Sequence, residues 1–563
     1  MLQPISPPPE PHRLLKERAL IPLTRNAADA VLNSAAYSPD QFADLSFALG
    51  PARKRIAVAD MPGLSEAIAR AYGPALARDA AEGLAQRRPR FSAAHGIARW
   101  QAVFVVFAAG LFVGAAVFIP REAAAFYSAG LSLIFLLTIG MRLVAAGQAG
   151  LQQLSAARPP ERRPRDIELP NYTVLVALYR EAKVLPELVE SLKSLNYPAA
   201  KLDIKLVLEE DDAETIAAAR ALALPPHFDI VVVPDGKPRT KPRALNYALR
   251  FASGDLLVIY DAEDRPSPDQ LMKAAAHFRR APREVVCLQA RLTFDNAAEN
   301  WISKQFTIEY AALFGGILPM LDRAKLPLPL GGTSNHFRVA ALRAVGGWDA
   351  HNVTEDADLG LRLYRCGLRA EMLDSVTYEE ACCRLWPWLK QRTRWLKGWI
   401  QTYGVHMRQP LRLVRELGLR GFLSVQGHFA GVIVAALVHP LSYILIAHDA
   451  LSGVIFDPAE SLLGRNLWLL AVFNLLAGYV ASVALGLFAL RGRRLRQLAP
   501  QLLLIPFYWL LVSAACYRAV YQLLSAPHYW EKTEHGLSKF RKAPKHARSL
   551  AGAQPRTGTA AGA

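Results

Sequence analysis

Five stretches of this chain are longer and more evenly apolar than a water-soluble fold needs. Residues 101–119 carry no charge, residues 126–147 are interrupted only by Arg142, and further runs lie within residues 422–447, 467–490 and 498–517. Crossing the hydrocarbon core of a bilayer takes about 20 apolar residues. Apolar runs of this length rarely occur as core helices of soluble folds, and in lipid a single segment can satisfy its backbone only as a helix. The chain is therefore expected to alternate membrane helices with soluble regions. Pro500 and Pro506 fall in the last run, which is expected to be kinked or re-entrant, so the count stands between five and six crossings. The opening MLQPISPPPEPHRLLKER is Pro-rich and charged, and does not read as a signal peptide.

Lys and Arg near the ends of the runs set an orientation. Arg87, Arg88, Arg90 and Arg99 precede the first run, Arg158, Arg162, Arg163 and Arg165 follow the second, and Arg491, Arg493, Arg494 and Arg496 precede the last. Such ends face the cytoplasm, whereas the loop 448–466, with Asp449, Asp457 and Glu460, reads as external. The formal net charge of +18 is accounted for by these membrane edges and by anionic lipid, so no nucleic acid is expected as a partner. Cys287, Cys366, Cys382, Cys383 and Cys516 form no paired CxxC pattern and read as reduced thiols without structural zinc.

Four soluble or membrane blocks and a tail follow. Residues 1–95 form a small cytoplasmic α+β docking or regulatory region, with strands at IPL, AVLNSA and RIAVAD and helices at SPDQFADLSFALG and PGLSEAIARAYG, started by Ser38 and by Pro62-Gly63. Residues 96–150 are a membrane hairpin, residues 166–400 a soluble region, residues 421–525 a second membrane block of about three spans, and residues 526–563 a basic cytoplasmic tail. In the soluble region TVLVALY, IKLVLEE, IVVVP and DLLVIYDAED are β-rich, with ELVESLKSL and KPRALNYALRFA helical. That alternation implies an α/β fold with a mostly parallel sheet, whose sites lie at the carboxyl ends of strands. Two of these strands end in acids, Glu209-Glu210-Asp211-Asp212 and Asp261-Ala262-Glu263-Asp264.

Asp261 and Glu263, two apart as the chain leaves its strand, can reach one divalent ion, in the manner of Mg²⁺ held by two carboxylates and a substrate diphosphate. A solvated acidic turn before Pro266 explains the same residues. In Val353-Thr354-Glu355-Asp356 the acids sit in the first turn of a helix, where its dipole favours them. Alternatively Asp356 is a general base that takes a proton from an acceptor hydroxyl. In Gln391-Arg392-Thr393-Arg394-Trp395 a basic aromatic helix reads as an interfacial anchor, or Arg394 binds a pyrophosphate and Trp395 stacks on a sugar.

Taken in order, the strand-end acids, the DxD-like pair, TED and Q(Q/R)xRW resemble the processive glycosyltransferases of family 2, which include the cellulose, hyaluronan and curdlan synthases. The resemblance covers residues 170–400 and the flanking spans. Two more segments fit it: Lys241-Pro242-Arg243-Ala244-Leu245-Asn246 is similar to a KxxALN segment near the donor, and Gly331-Gly332-Thr333-Ser334-Asn335 to an acceptor-side loop. The resemblance implies a GT-A (Rossmann-like) cytoplasmic catalytic domain with flanking transmembrane helices. It implies an inverting, metal-dependent transfer from a nucleotide sugar, UDP-glucose or UDP-N-acetylhexosamine, in a bacterial-type inner membrane. Glu209, Glu210, Asp211 and Asp212 would hold the nucleotide, with Lys241, Asn246, Asp261 and Arg394 on the donor. Asp261 and Glu263 would bind Mg²⁺ or Mn²⁺, and Asp356, beside Glu355, would be the base. Gln391, Trp395, Thr333 and Ser334 would meet the acceptor. The chain departs from the pattern at Glu263, in place of Asp, and at EEDD, in place of DDG.

The implied product is a β-linked polysaccharide, elongated and exported through the spans, with membrane lipid and accessory export subunits as partners. Transfer of one sugar to a lipid or polyprenyl phosphate is the second reading. A non-catalytic receptor or scaffold is the third, and the clustered buried acids argue against it. Residues 1–95 resemble the second half of the MshE N-terminal (type II secretion ATPase N-terminal) domain, some versions of which bind cyclic di-GMP. The RLG…G…L…AL…Q repeat of that domain is not visible, which favours plain docking. The residues after Ser525 are too few for a PilZ barrel.

Overall fold

The computed structural model describes residues 21–22, 30–33, 56–59, 61–154, 169–453, 462–492, 495–527, 529 and 531. The helix expected near Ser38, the linker 155–168, residues 454–461 of the loop 448–466 and the tail from residue 532 lie outside them.

Strands β1 (Ile21–Pro22), β2 (Ala30–Asn33) and β3 (Ile56–Ala59) form a small sheet, in which β2 runs antiparallel to β1 and parallel to β3. The expected helix at Pro62-Gly63 continues through Pro74 as Met61–Arg87, because the Ala-rich stretch beyond it offers no stop. It docks on the large domain: Asp79 pairs with Arg250, and Ala80 accepts a hydrogen bond from Asn246 at 3.0 Å. Ser92 Oγ and the Ala93 N–H both donate to buried Asp349. The likeness of residues 1–95 to the MshE N-terminal domain finds no support.

The large sheet contains β4 (Tyr172–Leu178), β5 (Leu202–Glu209), β6 (Phe228–Val233), β7 (Leu256–Tyr260), β8 (Arg265–Pro266), β9 (Val285–Phe294), β10 (Asn335–Arg338) and β11 (Arg369–Glu379). Their order is β6-β5-β4-β7-β10-β9-β11-β8. The neighbours β6, β5, β4 and β7 are parallel, as are β9 and β11, while β10 and β8 run against their neighbours. The fold is the expected GT-A-type α/β domain. Its strands read as unbroken apolar runs because both faces are covered. Val174 and Val176 pack with Leu185, Leu188 and Leu192 on one face, whereas Leu175 between them packs with Ala244, Leu245 and Ala248 on the other. The carboxyl ends of β5 and β7 thus deliver Glu209 and Asp261 to one edge.

Among the described residues, four helical segments are long and apolar enough to cross a membrane: Phe126–Leu151, Pro410–His448, Leu462–Arg491 and Arg496–Ser525. Arg99–Ala115 is a shorter apolar helix. The last apolar run is interrupted, as its prolines imply. A 3₁₀ stretch, Arg496–Leu504, holds Pro500, and the helix Ile505–Ser525 starts with Pro506 in its first turn. Both ends of that last helix meet the helix Leu385–His406. Trp388 Nε1 donates to the Tyr508 hydroxyl at 3.3 Å, and Gln401 Nε2 donates to Pro527 O at 2.7 Å.

Candidate active site

Glu355 and Asp356 open the helix Glu355–Arg365, where unpaired backbone N–H groups favour negative charge. The turn before it rests directly on the helix Leu385–His406. Asn352 donates to Thr402 Oγ1 at 2.9 Å and accepts from the Thr354 N–H at 3.0 Å, and the Val353 N–H donates to Gln401 at 3.4 Å. Contact this close requires Gly398, since a Cβ there would lie 2.4 Å from Thr354 Oγ1. One helix turn earlier are Arg394 and Trp395.

The opposite wall is built from β7. The Asp261 N–H donates to Asp264 Oδ2 at 2.8 Å, and the Thr333 hydroxyl also donates to Asp264. Lys241 Nζ bridges Asp261 and Gly332 O, the latter at 2.8 Å. Gly332 in turn faces Asp356, whose Oδ2 would be 3.3 Å from a Cβ on that glycine. The contacts run Asp261, Lys241, Gly332, Asp356, and the charges of Lys241 and Arg394 both act on Glu355 and Asp356. Acids nearly a hundred positions apart in sequence therefore share one site.

Burial dominates the electrostatics. It raises Asp356 above the usual carboxylate range, with Lys241, Arg394 and the Ala357 N–H pulling back. Glu355 is pushed to about 7 by burial and by the charge of Asp356. Burial opposes the charge on Lys241, but Asp261 and Glu355 outweigh it and hold the ammonium above its ordinary value. Asp264 is raised well above its ordinary value by burial and by Asp261 and Glu263. Glu379 is raised in the same way by burial and by Asp264, Glu263 and Asp261. Asp264 Oδ1 and Glu379 Oε1 are buried without a hydrogen-bond partner among the described residues. The same residues contain no set of three or more His, Cys, Asp or Glu arranged to hold a metal.

Several residues expected at the site do other work. Glu209 is buried against Arg243 at 2.8 Å, and Asp212 caps the helix Ala213–Ala221 through the Thr215 N–H while also accepting from the Arg180 N–H. Glu210 accepts from the Asp235 N–H at 2.9 Å. Asp211 pairs with Arg239 at 2.7 Å and keeps a third of its side chain exposed, and Glu210 is exposed too, whereas Glu209 and Asp212 are buried. The Asn246 amide is spent on packing: it donates to Ala80 O and Trp348 O, and accepts from the Trp348 N–H. Ser334 is fully buried, 2.6 Å from Thr377 Oγ1. Gln391 accepts from the Cys382 thiol and is not among the residues lining the cavity described below.

Trp395 does line that cavity, stacked on Tyr310 with centroids 6.0 Å apart and with the Arg392 guanidinium 4.9 Å over its ring. Arg392 forks onto Glu309 with contacts of 2.8 and 2.5 Å. Sequence reasoning missed Glu309 and Glu379, although Glu379, the last residue of β11, obeys the strand-end rule.

A cavity of about 970 Å³ begins at Lys241, Thr333, Glu355, Asp356 and Arg394 and continues between the apolar helices to Arg142, Tyr443 and Trp468. Two π-turns, Leu313–Ile317 and Gln426–Ala430, contribute to its wall. Such turns often mark functional sites.

Residues 256–512 match the family described as glycosyl transferase family group 2, so the chain carries a glycosyltransferase family 2 domain. It is 28% identical over 298 residues to a β-monoglucosyldiacylglycerol synthase from Synechocystis, covering 49% of this chain and 59% of that protein. It is 26% identical over 236 residues to a poly-β-1,6-N-acetyl-D-glucosamine synthase from Staphylococcus aureus, covering 41% and 55%. The chain thus spans little more than half the length of these relatives. A mannosyltransferase from Pyrobaculum calidifontis, solved with GDP-Man and Mn²⁺, aligns with a TM-score of 0.40 at 22% identity, over 61% of this chain and 99% of that one.

Proposed function

With a glycosyltransferase family 2 domain as the premise, we propose that this chain is an inverting membrane transferase that adds sugars from a nucleotide sugar to a growing β-linked glycan. The observation that supports elongation is the single cavity joining Asp356 to the space between the apolar helices, which gives a lengthening product a path away from the acids. UDP-glucose and UDP-N-acetylhexosamine are the proposed donors, and a bacterial inner membrane with the catalytic domain inside is the proposed setting.

In this reading Asp356 accepts the proton of the acceptor hydroxyl as that oxygen attacks the anomeric carbon, and direct displacement inverts it. The raised pKa of Asp356 makes it a stronger base than a solvated carboxylate. Arg394 and Lys241 face the leaving diphosphate and offset its charge, while Asp211 or Glu210 meets the nucleoside. The charges of Asp261 and Glu263, which burial and proximity press on Asp264 and Glu379, would be offset by a divalent cation. Asp261 and Glu263 would hold it, with phosphate and water completing its shell. Such a cation, when bound, supplies Lewis-acid stabilisation of the diphosphate.

A second reading, one sugar placed on a lipid, has its own support in the predominantly apolar wall of the cavity. The product decides. Purified protein given a radiolabelled sugar nucleotide without added lipid is expected to make polymer of many sugars. A single labelled glycolipid would overturn elongation in favour of the second reading.

A further inference from the structure

Arg142 lies inside the apolar segment Phe126–Leu151 and lines the cavity. Charged side chains at membrane depth are costly and mark ion or substrate paths. Arg142 donates to Ser482 Oγ at 2.8 Å, and its guanidinium stands 5.5 Å from the Trp509 ring centroid. Ser482 is neutral and donates its own proton to Gly478 O. Among the described residues no carboxylate lies within ion-pairing distance of Arg142.

The carboxylate whose charge reaches it, Glu309, is already held by both Arg392 nitrogens and by the Tyr508 hydroxyl at 2.8 Å. This part of the cavity thus carries two guanidinium groups against one carboxylate. His428, within electrostatic reach of Arg142, adds a buried Nε2 with no partner among the described residues. His439 packs on Trp509 with ring centroids 4.8 Å apart. Arg142, His428, Ser482 and Trp509 come from four different helical segments and converge on one spot in the wall. A guanidinium presents five N–H donors in a fork that matches two oxygens of one oxyanion. A sugar hydroxyl would satisfy a donor but leave the charge uncompensated.

We propose that Arg142, flanked by Ser482 and His428, binds an oxyanion carried by the acceptor, a phosphate or a carboxylate, in the membrane-embedded part of the cavity. This rests on the reading of the cavity as the acceptor's path, and it narrows the acceptor from any glycan or lipid to an anionic one. The guanidinium supplies the charge, the unpartnered imidazole nitrogen a further hydrogen-bonding group, and Trp509 an apolar wall against the remainder of the molecule.

The test is binding of three amphiphiles with the same alkyl chain, dodecyl phosphate, dodecyl glucuronide and dodecyl glucoside, to the full chain in a neutral maltoside detergent. At least one anionic probe is expected to bind about tenfold or more tighter than the glucoside. Preference for the phosphate identifies a phosphorylated acceptor, and preference for the glucuronide an acidic sugar. Arg142→Gln is expected to erase the preference, and Arg142→Lys to keep part of it, since charge remains without the fork. Equal binding of all three probes, or a preference that survives Arg142→Gln, overturns the proposal. The wild-type comparison stands even if a variant fails to fold. Nucleoside diphosphate release in the same preparations separates the two claims: release without anion preference sinks this proposal, whereas anion preference without release sinks the transferase reading.

Discussion

Asp358 accepts a hydrogen bond from Nε2 of His406 at 2.9 Å, and through it the helix bearing Glu355 and Asp356 is fixed to the helix bearing Arg394. The Arg365 guanidinium donates to the other ring nitrogen at 2.9 Å, which assigns His406 as neutral with its proton on Nε2. Arg362 completes the cluster at 3.2 Å from Asp358. The relative placement of the base and the arginine thus depends on groups that touch no substrate.

This cluster gives stability a pH dependence. Burial lowers the His406 pKa, so the folded protein keeps it neutral while the unfolded chain takes up a proton below about 6.5. Burial opposes the charge on Asp358, but Arg362 and His406 outweigh it and hold the group low, a contribution lost only at more acid pH, below about 4. Both effects make acid destabilising. Thermal unfolding is expected to show stability falling from pH 6.5 to 5, with a shallower fall in His406→Gln. At neutral pH that variant is expected to lose about 1–3 kcal/mol if its amide cannot satisfy both partners. An unchanged slope would show that His406 is not the titrating group.

Glu355 sets the pH range of activity through its neighbour. Burial and the charge of Asp356 push Glu355 to about 7, so the transfer rate is expected to rise with pH as the coupled pair loses its protons. Glu355→Gln removes the like charge beside Asp356, and the acid limb of the rate profile is expected to move to lower pH. A limb that stays in place would mean that another group titrates.

Gly398→Ala sets two effects against each other. Alanine in a helix interior is favoured over glycine by about 1 kcal/mol. Here the new Cβ would meet Thr354 Oγ1 at 2.4 Å and Thr354 Cγ2 at 2.5 Å, inside contact distance. The clash is expected to win, lowering both the melting temperature and the turnover rate. A variant more stable and equally active would show that the turn before Glu355 tolerates displacement.

A divalent cation is expected to be required. Chelation should abolish transfer, and Mn²⁺ or Mg²⁺ should restore it. Asp261→Asn is expected to weaken the apparent metal affinity by more than the 10–100-fold typical of a supporting residue. Full activity in chelator would show that transfer needs no divalent cation.

The large domain was legible because its strands obey simple rules. TVLVALY, IKLVLEE and DLLVIY became β4, β5 and β7 almost residue for residue, and their acids stand at the strand ends where α/β sheets place sites. The TED turn was legible as a helix start. Residues whose role depends on distant partners were not. Asn246 looks like a donor ligand until the helix Met61–Arg87 arrives beside it, and Ser334 looks accessible until β11 covers it. Arg142 read as an interruption in an apolar run, since nothing local reveals that Ser482 and Trp509 would meet it.

Asp356 is proposed to serve as base in a site shared with Lys241, Asp261 and Arg394. The most direct measurement is nucleoside diphosphate release by the purified chain over a panel of sugar nucleotides with Mn²⁺, comparing wild type with Asp356→Asn. Release from at least one donor is expected of the wild type, with a fall of about 10²–10⁴-fold in the variant. Release from the whole panel at background, or equal release by Asp356→Asn, would contradict it.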